Sequence, residues 1–198
     1  PCGICRYKDK MYICERKDIA VVSMKTGKIL KRFPFPDNPG FLNDIAVDSK
    51  GNFYITNSAE EEDVTHIYLL KDNHIKSWMN SKEISKLNGI LCKGDEVIIG
   101  NCSKGLLQAI DVKTKNIRTI ASVGSDIIDG IQINSKGNYL VSNWIGNLYE
   151  ISESGDVVQL LNSDGRFNPA DFAYVPNKEL LLIPTFMGGT LQAYKIEK

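Results

Sequence analysis

Apolar side chains along this 198-residue chain fall in short runs, alternating or continuous, and each run is cut off by Gly, Asp, Asn or Pro. Runs of that length between turn residues predict β-strands. No stretch keeps the helical period of about 3.6 residues over successive turns, and only residues 77–86 have room for a single helical turn. The runs also recur as a unit: a short polar start, an apolar strand, a tight turn, a β-branched or aromatic strand, then a second hairpin. The unit is clearest in FLNDIAVDSKGNFYITN (41–57), KLNGILCKGDEVIIGN (86–101) and IIDGIQINSKGNYLVSN (127–143), with looser copies at 3–15 and 169–185.

Aligning the copies makes Cys2, Asn43, Asn88, Asp129 and Ala170 equivalent, at spacings of 41, 45, 41 and 41. A second column holds Glu15, Asn57, Asn101, Asn143 and Thr185, at spacings of 42, 44, 42 and 42. Two columns with one period point to a repeat architecture, and four strands per repeat of about 42 residues is the arithmetic of a β-propeller blade. The expectation is an all-β fold: one β-propeller domain of about five visible four-stranded blades, with repeats near 1–40, 41–85, 86–126, 127–167 and 168–198. The last repeat shows three strands and nothing follows to supply a fourth. An unfinished blade exposes a strand edge that other chains can pair with, so a closing strand and a whole N-terminal blade are expected to be missing. A five-bladed protein complete as written is the competing expectation.

Composition changes this picture little. Lys plus Arg and Asp plus Glu are 24 each, so there is no basic excess to hold nucleic acid or an acidic membrane surface. The longest apolar runs fall far short of the ~20 residues needed to cross a bilayer. The chain reads as a soluble, cytoplasmic or periplasmic monomer acting on a small molecule. It begins at Pro1 with no initiator Met and no secretory leader, as a processed form or fragment would. Five cysteines leave at least one thiol unpaired, which leans towards a reducing compartment.

Candidate chemistry gathers in the first column. Equivalent positions on the innermost strands of successive blades lie at similar height around a propeller axis, so Asn43, Asn88 and Asp129 should converge. Converging oxygens suit a hard cation, and calcium tolerates mixed amide and carboxylate ligands better than magnesium does. The structural alternative is that Asn-Asp, Asn-Gly and Asp-Gly merely turn the chain into each strand, since Asn and Asp bond their own backbone.

At Asn43-Asp44, Asn88-Gly89 and Asp129-Gly130, in that order in successive blades, the sequence resembles the regucalcin/gluconolactonase family. The resemblance implies a six-bladed propeller that binds a divalent metal on its axis and hydrolyses a small sugar lactone or related ester. It implies Asn88 and Asp129 as metal ligands and Asn43 as a substrate-contacting neighbour. It also implies Glu61 as a carboxylate for substrate hydroxyls. Calcium is the first choice of metal, with magnesium, manganese or zinc as alternatives. A coordinated cation would polarise the lactone carbonyl while Asp129 acts as catalytic base. Two departures stand out: the family's remaining ligand, a Glu, would lie upstream of Pro1, and Phe41 stands where many relatives carry Arg.

Other features have plainer readings. Trp144, directly after Asn143, either walls the pocket in contact with substrate or packs between blades. Cys2-Gly-Ile-Cys5 has no second pair to complete a zinc site and no helix to lower a thiol pKa, whereas Cys14, Cys92 and Cys102 read as small hydrophobes. His66 and His74, at either end of a hairpin, are expected at the surface. Glu60 to Asp63 reads as a solvated loop. The rival to a metal-dependent hydrolase is a non-enzymatic propeller, similar to NHL-repeat modules, that binds a peptide, protein or small ligand.

Overall fold

The structure, a computed structural model, describes residues 2–35, 39–59, 65–124, 127–163, 165–166 and 168–196. Its strands form five antiparallel sheets. The first holds β1 (Ile4–Tyr7), β2 (Lys10–Cys14), β3 (Asp18–Ser23) and β4 (Ile29–Pro34). The second holds β5 (Leu42–Val47), β6 (Phe53–Asn57), β7 (Ile67–Lys71) and β8 (His74–Met79). The third holds β9 (Leu87–Lys93), β10 (Glu96–Asn101), β11 (Leu106–Asp111) and β12 (Ile117–Ser122). The fourth holds β13 (Ile128–Ile133), β14 (Tyr139–Asn143), β15 (Asn147–Ile151) and β16 (Val157–Asn162). The last has three strands, β17 (Ala173–Val175), β18 (Leu180–Thr185) and β19 (Thr190–Lys195).

This is the all-β, blade-by-blade organisation of a β-propeller. Among the described residues the only helical element is a 3-10 turn at Pro176–Lys178. Residues 77–86 hold the end of β8 and a plain turn instead of a helical one. No helix among the described residues is long and apolar enough to cross a membrane. The residues group into two compact units, 1–99 with 110–117 and 100–109 with 118–198.

Burial explains why these segments are strands. In β6 and β14, second strands of their sheets, both faces are covered and every residue is buried. The fourth strands β4 and β16 are mostly exposed, on polar and apolar side chains alike. Within the first unit Ile19, Val21, Leu42, Ile45, Phe53 and Ile55 pack into one core joining the first two sheets. In the second unit Leu140, Leu148, Phe172, Leu181 and Ile183 do the same for the last two.

Turn chemistry closes the inner hairpins. Asp48 Oδ1 accepts the amides of Lys50 and Asn52 at 2.9 Å each, while Gly51 takes a φ of 83°. Asn134 Oδ1 accepts those of Lys136 and Asn138 at 3.0 Å each, with Gly137 at 87°. The same Asx-turn logic serves both hairpins, and a positive φ makes Gly the fitting residue at each.

The other end of the sheets is held by side-chain hydroxyls. Thr56 Oγ1 accepts the Asp44 amide at 3.0 Å and donates to the Asn88 carbonyl of the next sheet at 2.7 Å. Ser142 Oγ accepts the Gly130 amide and donates to the Ala170 carbonyl, both at 2.8 Å. Both side chains are fully buried, so each hydroxyl satisfies a donor and an acceptor that water cannot reach. Thr56→Val, which keeps the shape and removes the hydroxyl, should cost about 1–3 kcal/mol, as should Ser142→Ala, read from urea unfolding midpoints at unchanged m-value.

Candidate functional site

Two of the three sequence dipeptides occupy breaks in strand register. In β5 the pairing with β6 slips between Leu42 and Ile45, and the two residues in the gap are Asn43 and Asp44. In β13 it slips between Ile128 and Ile131, and the gap holds Asp129 and Gly130. A bulge bends its strand and re-aims the side chains within it, and bulges gather next to active sites. Gly130 is required sterically: a Cβ there would lie 2.6 Å from the Phe172 ring.

In the first unit the structure brings Asn43 and Asn88 into one hydrogen-bonded region. Asn43 Nδ2 donates to Ser58 Oγ at 2.9 Å, Ser58 Oγ donates to the Leu87 carbonyl, and the Asn43 carbonyl accepts the Gly3 amide at 2.7 Å. Part of Asn43 is therefore spent on joining sheets. The Asn88 carbonyl takes Thr56 Oγ1, and no side-chain hydrogen bond to Asn88 occurs among the described residues. Asn88 is half-buried, and towards the described residues its Oδ1 keeps its acceptor capacity.

In the second unit Asp129 is half-buried in β13. The structure brings Trp144 beside the same strand: its amide donates to the Ile127 carbonyl at 3.0 Å, and its carbonyl accepts Asn168 Nδ2 at 2.6 Å. The Trp144 ring packs on Phe186, centroids 5.1 Å apart at 57°. Glu61, and with it the run from Glu60 to Asp63, lies outside the described residues.

Two carboxyls escaped the sequence reading because they stand second in their dipeptides. Asp44 Oδ1 accepts the Ile45 amide at 2.7 Å and Oδ2 the Ile90 amide at 3.0 Å. Asp171, one residue after Ala170, repeats the first contact with the Phe172 amide at 2.8 Å. Its carboxyl is enclosed although the residue as a whole is partly exposed, and that enclosure raises its pKa. The signal was present in the sequence as Asn-Asp and Ala-Asp at the same place in two repeats.

The second column proves to be a loop anchor. Asn57 Oδ1 accepts the amides of Phe41 at 3.0 Å and Ala59 at 3.2 Å, while its Nδ2 donates to the Thr65 and Pro39 carbonyls. Asn143 Oδ1 accepts the Asn147 amide at 2.8 Å.

Asn88 in the first unit offers an amide oxygen and Asp129 in the second a carboxylate, and neither brings an imidazole or a thiolate. Oxygen donors of this kind are the type that calcium or magnesium takes. Among the described residues no three His, Cys, Asp or Glu side chains gather as a metal cluster.

His66 corrects an expectation. It is buried at 4% exposure, not at the surface, because its backbone pairs with Asn57 and Met79 and its Nδ1 takes the Ser81 amide. His74 is exposed as expected. Burial lowers the His66 pKa below 6.5, against the opposing hydrogen bond from Asn80. The folded state therefore resists the protonation that the unfolded state accepts. Stability should be full above that value, fall as pH drops through it, and level off below the folded pKa. Urea midpoints between pH 7.5 and 5.5 should show the decline, and His66→Gln should flatten it.

The thiols follow the structural reading. Burial first, then the Asp44 charge, holds Cys5 and Cys14 far above the ordinary thiol range. Burial and Asp48 push Cys92 up to about 12. At pH 8 iodoacetamide should leave all three unmodified in the native protein and alkylate them in urea, as mass spectrometry of the peptides would read.

A family model for the SMP-30/Gluconolactonase/LRE-like region matches residues 2–184. The chain belongs to this family. Virginiamycin B lyase from Staphylococcus aureus superposes with a TM-score of 0.73 at 17% identity, over 100% of this chain and 70% of its own. A streptogramin B lyase gives 0.69 at 13%, over 98% and 68%. A gluconolactonase from Xanthomonas campestris gives 0.71 at 16%, over 89% and 65%. At such identities the likeness is one of fold. No curated protein matches the sequence. Within the SMP-30/gluconolactonase/LRE-like family, the bulged dipeptides are the feature on which a functional reading of this member turns.

Proposed function

We propose that this family member hydrolyses a small sugar lactone or related ester with the help of a divalent cation, calcium in the first instance. The observation that carries the reading is the placement of Asn43-Asp44 and Asp129-Gly130 in register breaks, where side chains are re-aimed out of the ladder. Asn88 and Asp129 are the oxygen donors to the cation, which when bound would polarise the ester carbonyl. Asp129 accepts the proton of the attacking water, as a carboxylate within hydrogen-bond reach does in general-base catalysis. The ring C–O bond then breaks and the alkoxide is protonated to the open hydroxy acid. Asn43 and Glu61 hydrogen-bond the substrate, and Trp144 shields it from water on one side. The protein works as a monomer on a small molecule.

A second reading is a non-enzymatic propeller that binds a peptide, protein or small ligand. It is favoured by the absence of a three-member His, Cys, Asp or Glu cluster among the described residues.

Turnover of glucono-δ-lactone and δ-decalactone separates the two readings, measured with calcium, magnesium, manganese or zinc against a chelator control. The expected result is metal-dependent hydrolysis of at least one lactone. Asp129→Ala should lower the rate by about a hundredfold or more with the urea midpoint retained. Hydrolysis that persists in Asp129→Ala refutes the assignment of the base, and no turnover with any metal favours the binding protein.

A further inference from the structure

In the second unit, exposed apolar side chains stand just before β13, which carries Asp129, and on the turns that follow β14 and β18. Ile127 is 41% exposed, Ile145 56%, Phe186 64% and Met187 75%. Ile127 stands two residues before Asp129. Trp144 and Ile145 form the turn between β14 and β15, and Phe186 and Met187 the start of the turn between β18 and β19. By contrast Val157 and Val158, also exposed, lie on the outer strand β16.

The first group is held together by backbone chemistry. The Trp144 amide donates to the Ile127 carbonyl, Asn168 Nδ2 donates to the Trp144 carbonyl at 2.6 Å, and the Phe186 amide donates to the Asn168 carbonyl at 3.0 Å. Asn168 thus clamps both turns and fixes the Trp144–Phe186 pair at 5.1 Å. A single exposed apolar side chain needs no explanation, but an ordered aromatic pair with apolar neighbours on the turns next to the strand of a candidate catalytic carboxylate marks a binding surface.

Two polar groups beside the rings are already committed. The Asn168 amide nitrogen is spent on Trp144, and Thr185 Oγ1 is paired with Thr190. A polyhydroxylated ring offers many donors and acceptors, and each one left unpaired on an apolar surface costs binding energy. An alkyl or aryl substituent loses nothing there and gains burial.

We infer that Trp144 and Phe186, flanked by Ile127, Ile145 and Met187, are a specificity rim that selects a lactone carrying an alkyl or aryl substituent over a sugar lactone. The inference rests on the hydrolytic reading of Asp129, so its test uses binding as well as turnover. Non-hydrolysable lactams serve as probes in titration calorimetry of the full chain: δ-decanolactam for the pentyl-substituted ring and gluconolactam for the polyol. δ-Decanolactam should bind about tenfold or more tighter than gluconolactam. Phe186→Ser should weaken δ-decanolactam about tenfold and leave gluconolactam within about twofold, whereas Phe186→Leu retains most of the affinity. Phe186 is exposed, so neither variant removes a core residue.

Equal or tighter binding of gluconolactam, an unchanged affinity in Phe186→Ser, or binding of neither lactam overturns the rim. If δ-decanolactam binds as expected while no lactone is turned over, the rim stands and the hydrolytic reading falls. Faster turnover of glucono-δ-lactone than of δ-decalactone, with a ratio that Phe186→Ser leaves unchanged, leaves a hydrolase and removes the rim.

Discussion

The fold depends on how a bulged inner strand disposes of its backbone polar groups. Once β5 slips past β6 between Leu42 and Ile45, the Asp44 amide has no ladder partner, and at this depth no water replaces it. Thr56 answers with one hydroxyl that takes this amide and passes its own proton to the Asn88 carbonyl. Ser142 does the same for Gly130 and Ala170. The bulge is thus affordable only because a hydroxyl on the second strand serves two sheets. Candidate chemistry and structural cohesion meet at the same few residues.

That economy shapes what the side chains in the bulges are free to do. Asp44 uses both carboxylate oxygens on the amides of Ile45 and Ile90, which makes it a fastener between sheets. Asn43 gives its Nδ2 to Ser58. Asn88 contributes its backbone to cohesion while its amide makes no such commitment. Within the Asn43-Asp44 dipeptide both residues therefore serve cohesion, Asp44 through its carboxylate and Asn43 through its amide nitrogen and carbonyl.

The strand plan was legible because burial on both faces of the second strand demands a continuous apolar run, as in FYITN and YLVSN, and because Asp48 and Asn134 announce their turns by type and spacing. The latch was not. Thr56 reads as an ordinary β-branched strand residue and Ser142 as a polar interruption, since a hydroxyl's partners lie some thirty positions downstream, |i−j| being 32 and 28. His66 was misplaced for a similar reason: its burial comes from Met79 and Ser81 on the far arm of the hairpin, which the local sequence does not display. Asp171 is hidden in the sequence because its column begins with Ala170, which carries no polar atom to mark the repeat. The candidate site was therefore visible as a pattern, while its sorting into fasteners and free donors required hydrogen-bond partners.

The two ends of each inner hairpin differ in what they need from the rest of the chain. The Asp48 turn closes on its own amides, and the Asn134 turn adds Tyr174 and Glu179 of the next sheet through the exposed Ser135. The opposite end is interlocked across sheets, with Thr56 answering to Asn88 and Ser142 to Ala170. A cut between one of these two sheets and the opening residues of its successor would therefore part a hydroxyl from the carbonyl it serves, so the working unit there is a sheet together with the start of the next.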